Sequence, residues 1–311
     1  MLRSLLSTPA RLSKLLRSDS ANAVVLDASW FMPNSPRTAK AEFRAKRIPG
    51  SKFLDLDEVA SSHELGLKHM MPSGRVFAQA CEKFGISPSS HVIIYDTHGV
   101  FSSPRALFMF RSFGHENSSI LDGGLPRWEA EGLPLETNTT GDLENVPHRH
   151  YPAPTLDVTG SIRSYEQMVA NSTLVPSQAP GAELVLDARS RGRYLGTDPE
   201  PRSGLSSGHI PNSLSLPFNM FLQNNVAPNG SSYTTFLPVE KLRNVVVDAL
   251  GGENANLVFN GDVPVIVSCG SGMTAAVLWV GLQLLGVNKI SIYDESWTGY
   301  SLRPSSIVEK S

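Results

Sequence analysis

Four segments of this chain occur twice and in the same order. "AVVLDASW" (23–30) matches "LVLDARS" (184–190), and "RIPGSKFLDLD" (47–57) matches "HIPNSLSLPF" (209–218). "HVIIYD" (91–96) matches "PVIVSC" (264–269), and "SILDGGLPRW" (119–128) matches "ISIYDESWTGY" (290–300). The offset grows from about 160 to about 172 positions, so the chain reads as two copies of one domain with extra loop in the second. The expected division is a first domain over 1–138, a linker over 139–160 and a second domain over 161–311. The linker region, "ETNTTGDLENVPHRHYPAPTLDVTG", is rich in Thr, Asn and Pro and has no hydrophobic period. Within each copy, short apolar runs alternate with helical patterns such as "SGRVFAQACEKFGI" and "LPVEKLRNVVVDALG". That alternation predicts an α/β fold, in which each copy is a mostly parallel sheet with helices on both faces.

Composition narrows the function classes. A net charge of -2 gives no basic surplus, so no nucleic-acid partner is expected. No apolar run reaches bilayer length, so no membrane span is expected. Two cysteines in 311 residues do not make a disulfide scaffold and fit a reducing compartment. The opening stretch "MLRSLLSTPARLSKLLRS" holds Arg3, Arg11, Lys14 and Arg17, with no acid before Asp19. It has two readings: a mitochondrial targeting segment, or a first amphipathic helix capped by Thr8 with Pro9 at its first position.

The stretch "VPVIVSCGSGMTAAVLWVGLQLLGV" divides into a buried strand over 263–268, a tight loop over 269–273 and an apolar helix over 274–285. Cys269 therefore stands where a strand ends and a helix begins, the place where α/β sheets bind ligands. Gly270 and Gly272 let the backbone curl so that successive amides point at one spot. Such a cradle, backed by a helix N-terminus, stabilises a thiolate or a persulfide. A small apolar cysteine closing a strand is the alternative, but it has no need of Gly-Ser-Gly after it. Cys81, inside the helical pattern "VFAQACEKF", reads as core.

The repeat, the linker and "CGSGMTA" together resemble the two-domain rhodanese-like sulfurtransferases, with the 3-mercaptopyruvate sulfurtransferases nearest in pattern. "GRYLGTDPEPR", "GHIP" and "CGSG" follow in that family's order, with Met273 where the family has Val. The resemblance implies tandem rhodanese-like domains, the second alone catalytic, and a persulfide on Cys269 held by Gly270, Gly272, Met273 and Thr274. The first copy places Tyr95-Asp96 where the second has Ser268-Cys269, and a carboxylate cannot carry sulfane sulfur.

Substrate residues follow from the same resemblance. Spacing alone leaves Arg193 and Arg202 as a surface pair for Asp198 and Glu200; the family pattern makes them the carboxylate-binding arginines, with Arg189, Arg191 and Arg105 as less certain neighbours. Ser271, His69 and Asp57 match a proton relay in the family. The His69–Asp57 spacing is one residue longer than the family's, and His63 is a nearby rival. Neutral Gly270 and Ser271 favour a carboxylate donor over thiosulfate, whose enzymes carry basic residues in this loop. A Cys-x5-Arg phosphatase is disfavoured because position 275 is Ala. The implied partners are a small sulfur donor (3-mercaptopyruvate or thiosulfate) and a thiol acceptor such as thioredoxin, or cyanide. A cysteine desulfurase or sulfur-carrier activating protein is implied if the chain serves as a relay in tRNA thiolation. No cofactor or metal is required, and the expected location is mitochondrial or cytoplasmic. The loop over 219–235 reads either as a docking element or as extra length.

Overall fold

The structure is a computed structural model and describes residues 4–18, 22–137, 149–176 and 178–310. Arg3, Asp19 and the 139–148 part of the expected linker lie outside the described residues. The chain forms two compact units. The first comprises Met1–Ser61, Met71–Leu156 and Gln223–Phe236; the second comprises Ser62–Met70, Asp157–Leu222 and Leu237–Ser311. Each unit thus takes in a piece of chain from the other's half of the sequence.

In the first unit, β1 (Leu6–Ser7), β2 (Ala23–Asp27), β4 (Lys52–Phe53), β5 (His91–Tyr95) and β6 (Ser118–Leu121) form one sheet in the order β1-β6-β5-β2-β4. All its pairings are parallel. The apolar runs of β2 and β5 are buried on both faces, which is what continuous β-branched runs specify. The opening stretch is built into this unit. Leu6 and Ser7 pair with β6, and Thr8 caps the helix Pro9–Leu16 by accepting the Arg11 amide at 3.3 Å. Leu12 enters a core with Val25, Ile93 and Trp128. The short strands β3 (Lys46–Arg47) and β7 (Glu136–Thr137) pair antiparallel. Beyond the undescribed stretch, Tyr151 is buried against Phe77 and His115.

The second unit repeats the plan with β8 (Ile162–Arg163), β9 (Leu184–Asp187), β10 (Ser213–Ser215), β13 (Val265–Ser268) and β14 (Ile290–Tyr293) in the order β10-β9-β13-β14-β8. These pairings are also all parallel. The registers correspond: Asp27 stands opposite Tyr95, and Asp187 opposite Ser268. The helix Ala275–Leu284 is buried from Ala275 through Leu282, as its uniformly apolar sequence requires. A methyl group on its Gly281 would collide with the Phe221 ring.

The 219–235 segment is not a bare loop. A 3₁₀ turn (Phe218–Phe221) leads into β11 (Leu222–Val226), which pairs with β12 (Ser232–Phe236). The hairpin belongs to the first unit. There the Phe236 amide donates to Asp122 Oδ1 at 3.0 Å, and Arg127 lies over the Tyr233 ring.

Candidate active site

Cys269 is the first residue after β13, and Thr274 precedes the helix Ala275–Leu284. The cysteine is buried, with 2% of its surface exposed. Three consecutive residues after β14 hold its backbone. Ser296 Oγ accepts the Cys269 amide at 3.2 Å and donates to the Tyr293 carbonyl at 2.8 Å. The Trp297 amide donates to the Cys269 carbonyl at 2.9 Å, and the Thr298 amide to the Gly270 carbonyl at 3.0 Å. Ser296 adopts a left-handed φ of 51°, costly for a residue with a Cβ, and is fully buried.

The loop over 270–274 turns through Gly272 at φ 82°. None of the backbone amides from Ser271 to Thr274 donates to a protein acceptor among the described residues. They stand ahead of the first turn of the helix Ala275–Leu284, whose unpaired amides favour negative charge.

Two guanidinium groups lie over this loop. A methyl built on Gly270 would sit 3.2 Å from Arg193 Nη2 and 3.3 Å from Arg202 Nη1. Arg193 is held by the buried carboxylate of Glu200, through Nε at 3.0 Å and Nη2 at 2.5 Å. Glu200 is held in turn by Arg189 at 2.7 Å, and Arg189 also forks onto Asp187 and stacks over Trp297 at 4.2 Å. Arg193 thus makes the pairing that spacing alone favoured and still faces the loop. Arg189 is a fully buried strut behind it. Arg191 is exposed, and Arg105 is buried in the first unit over Phe108.

His69 reaches the same loop. Its Nε2 lies 2.8 Å from the Ser271 carbonyl and 3.0 Å from Ser271 Oγ. Arg202 Nη2 donates to Ser271 Oγ at 3.0 Å. His69 is buried and has a left-handed φ of 47°. The rival His63 instead faces Glu295 at 3.6 Å. Asp57 lies in the first unit, where its Oδ2 accepts the Trp30 indole N–H at 3.2 Å. Cys81 is core, and burial pushes its thiol pKa well up.

The model of the rhodanese-like domain matches this chain twice, over residues 8–131 and 172–303. The chain belongs to the rhodanese-like family. Its rhodanese-like copies account for the repeat, the α/β architecture and the cysteine at the end of the central strand. Among curated relatives, thiosulfate/3-mercaptopyruvate sulfurtransferase 1, mitochondrial, of Arabidopsis thaliana is 36% identical over 92% of this chain and 73% of its own length. A probable 3-mercaptopyruvate sulfurtransferase of Schizosaccharomyces pombe is 36% identical over 93% of this chain and 89% of its own. The crystal structure of the Tum1 protein from Saccharomyces cerevisiae superposes with a TM-score of 0.81 at 29% identity, covering 98% of this chain and 97% of that one.

Sequence reasoning named Cys269, Ser271, His69, Arg193 and Arg202, and the second unit brings these five together. It had Glu200 only as a surface partner of Arg193, where the structure makes it a buried one, and it missed Ser296 and Thr298. The repeat held a signal for Ser296. The aligned "SILDGG" and "SIYDES" put Gly124 opposite Ser296, and both residues have positive φ.

Proposed function

We propose that this chain is a sulfurtransferase that takes sulfane sulfur from 3-mercaptopyruvate onto Cys269, releases pyruvate and passes the sulfur to a thiol, cyanide or protein acceptor. The pair of guanidinium groups over neutral Gly270 carries the choice of donor. Arg193 and Arg202 hold the carboxylate and carbonyl by charge-assisted bonds. The Cys269 thiolate attacks the donor's sulfur. The carbon–sulfur bond breaks, its electron pair passes to the departing fragment, and the pyruvate enolate takes up a proton. The sulfur remains as Cys269–S–SH, supported by the amides of Gly272, Met273 and Thr274.

The proton source is Ser271. A carbonyl only accepts, so His69 Nε2, at 2.8 Å from the Ser271 carbonyl, carries hydrogen. Ser271 Oγ accepts from Arg202 and His69, which leaves its own proton to give to the enolate. His69 then restores it, and water resupplies the proton to the imidazole. The family pattern gives Asp57 a part in the same relay.

Thiosulfate is the alternative donor, because the Arabidopsis relative is named for both. A protein donor such as a cysteine desulfurase, with this chain as a sulfur relay for tRNA thiolation, is the further alternative. A mitochondrial or cytoplasmic location is proposed on the same relatives, and cell fractionation tests it.

The deciding experiment incubates wild type and Cys269→Ser with 3-mercaptopyruvate or thiosulfate, without acceptor, and follows intact mass and pyruvate. The expected result is a gain of about 32 Da, one sulfur on a thiol, with one pyruvate, in wild type alone. A gain from thiosulfate only reassigns the donor. A gain from neither moves the chain to the carrier role.

A further inference from the structure

His69 is carried to Ser271 by the segment Ser62–Met70, which belongs to the second unit. From Ser62 to His69 this segment has no helix or strand, so side-chain contacts take a large part in holding it. Those contacts converge on Glu295. The Leu65 amide donates to His63 Nδ1 at 3.2 Å, so Nε2 bears the hydrogen and faces Glu295 Oε1 at 3.6 Å. Arg303 pairs with the other oxygen of Glu295 and reaches Glu64 at 3.8 Å. Arg303 is itself seated over the Tyr165 ring at 4.1 Å and donates to the Gly299 carbonyl at 2.7 Å. Leu67 completes the contact. A methyl on Gly299 would collide with Glu295 and lie 3.1 Å from Leu67 Cδ1, so glycine leaves room for both side chains.

Glu295 also occupies a strategic place in the chain. Ser296, Trp297 and Thr298, immediately after it, are the residues that hold the backbone of Cys269 and Gly270. The same turn of chain therefore grips the cysteine loop from one side and the His69 segment from the other. In the first copy the aligned residue is Gly123, which has no carboxylate to offer. The Glu295 side chain is 12% exposed, so its pairing with Arg303 is only weakly screened by salt.

We infer that Glu295 is a positioning residue: through His63 and Arg303 it docks the 62–70 segment and so fixes His69 against Ser271. This inference rests on the part proposed above for His69. The test uses the full chain with Glu295→Gln, and His63→Gln as a second variant should the first not fold. Three rates are measured: trypsin cleavage after the exposed Lys68, alkylation of Cys269 by iodoacetamide, and turnover of 3-mercaptopyruvate.

Cleavage after Lys68 is expected to rise about tenfold, the change that about 1.4 kcal/mol of lost docking produces. Alkylation stays within about twofold of wild type, because the cysteine loop keeps its own supports. Turnover falls about fivefold in kcat with KM little changed, because Arg193 and Arg202 are untouched. In a His69→Ala background, Glu295→Gln changes turnover by less than about 1.5-fold, since both losses run through one residue. Unchanged Lys68 cleavage in both variants, or full additivity with His69→Ala, overturns the inference. If wild type does not turn over 3-mercaptopyruvate, the functional proposal fails, and Lys68 cleavage alone decides the positioning role.

Discussion

The loop after β5 and the loop after β13 leave corresponding strands of two sheets with the same strand order, yet one begins with Asp96 and the other with Cys269. In the first unit, Asp96 Oδ1 accepts the His98 amide at 2.9 Å. Its Oδ2 accepts the amides of Phe101, Ser102 and Ser103 at 2.9, 3.1 and 2.9 Å, and the Ser103 hydroxyl at 2.7 Å. The carboxylate sits at the head of the helix Ser103–Ser112, where the helix end favours negative charge. The first loop thus shows what this turn of chain does: it gathers amides around an anion. There the anion is part of the protein. In the second unit the amides from Ser271 to Thr274 have no protein acceptor among the described residues; in the function proposed above, a thiolate or persulfide on Cys269 is the anion they would receive. On that proposal, the copies differ less in the cradle than in whether the chain fills it.

The strongest way to break that comparison is to give the second loop the first loop's residue. Cys269→Asp is expected to abolish sulfur transfer, with no mass gain from either donor, because a carboxylate cannot carry sulfane sulfur. It is not expected to unfold the protein. Hydrogen bonds to a charged group are worth about 1.5–3 kcal/mol each, which offsets the cost of burying the carboxylate. The melting temperature should therefore match or exceed that of wild type. A drop of more than about 8 °C would mean that the amides of the second loop are not directed inward as those around Asp96 are.

A second contrast lies one strand away. Asp27 and Asp187 end corresponding strands. Asp187 is forked by Arg189, two residues on. The first copy has Ser29 there, whose amide donates to Asp27 Oδ1 at 2.8 Å. Burial outweighs these hydrogen bonds and pushes the Asp27 pKa from 3.8 up to about 7. Between those values the folded protein keeps a proton that the unfolded chain has released, so stability falls as pH rises and levels off above the folded pKa. Asp27→Asn removes this dependence. Between pH 5 and pH 8 the wild type should lose on the order of 3 kcal/mol relative to the variant, at about 1.4 kcal/mol per pKa unit. Urea unfolding of both proteins at the two pH values measures it. Parallel pH profiles would show that the serine-flanked aspartate is as well matched to its charge as the arginine-paired one.

Local pattern made some of this molecule legible. The strands were visible because runs such as "VIIY" and "VIVS" have nowhere to lie but inside a covered sheet. Cys269 was visible because Gly-Ser-Gly permits a turn that a core cysteine does not need. Arg193 was ambiguous because its two roles coexist: it pairs with Glu200 and it faces Gly270. What stayed hidden depends on contacts remote in sequence. No period or composition in "SHELGLKHM" signals that it joins the second unit. The hairpin at 223–236 joins the first unit with as little warning. The choice between His63 and His69 also required knowing that one faces Glu295 and the other Ser271.

The gentlest probe is Met273→Val, which restores the residue the family pattern carries in this loop. Met273 is buried, with 2% exposure, just before the helix Ala275–Leu284. In the proposed anion cradle its contribution would be the backbone amide, which Val retains. The side chain fills space, and an unbranched thioether tolerates replacement well. The expected cost is about 1 kcal/mol or less in stability, with kcat/KM for sulfur transfer within about twofold of wild type. Thermal melting and steady-state kinetics on 3-mercaptopyruvate measure both. A kinetic change beyond about fivefold, roughly 1 kcal/mol in the barrier, would show that the side chain shapes the cradle as well as the amide. The Asp96 loop builds its cradle from backbone amides and one serine hydroxyl. In that case the two loops would share a chain path but differ in how they hold charge.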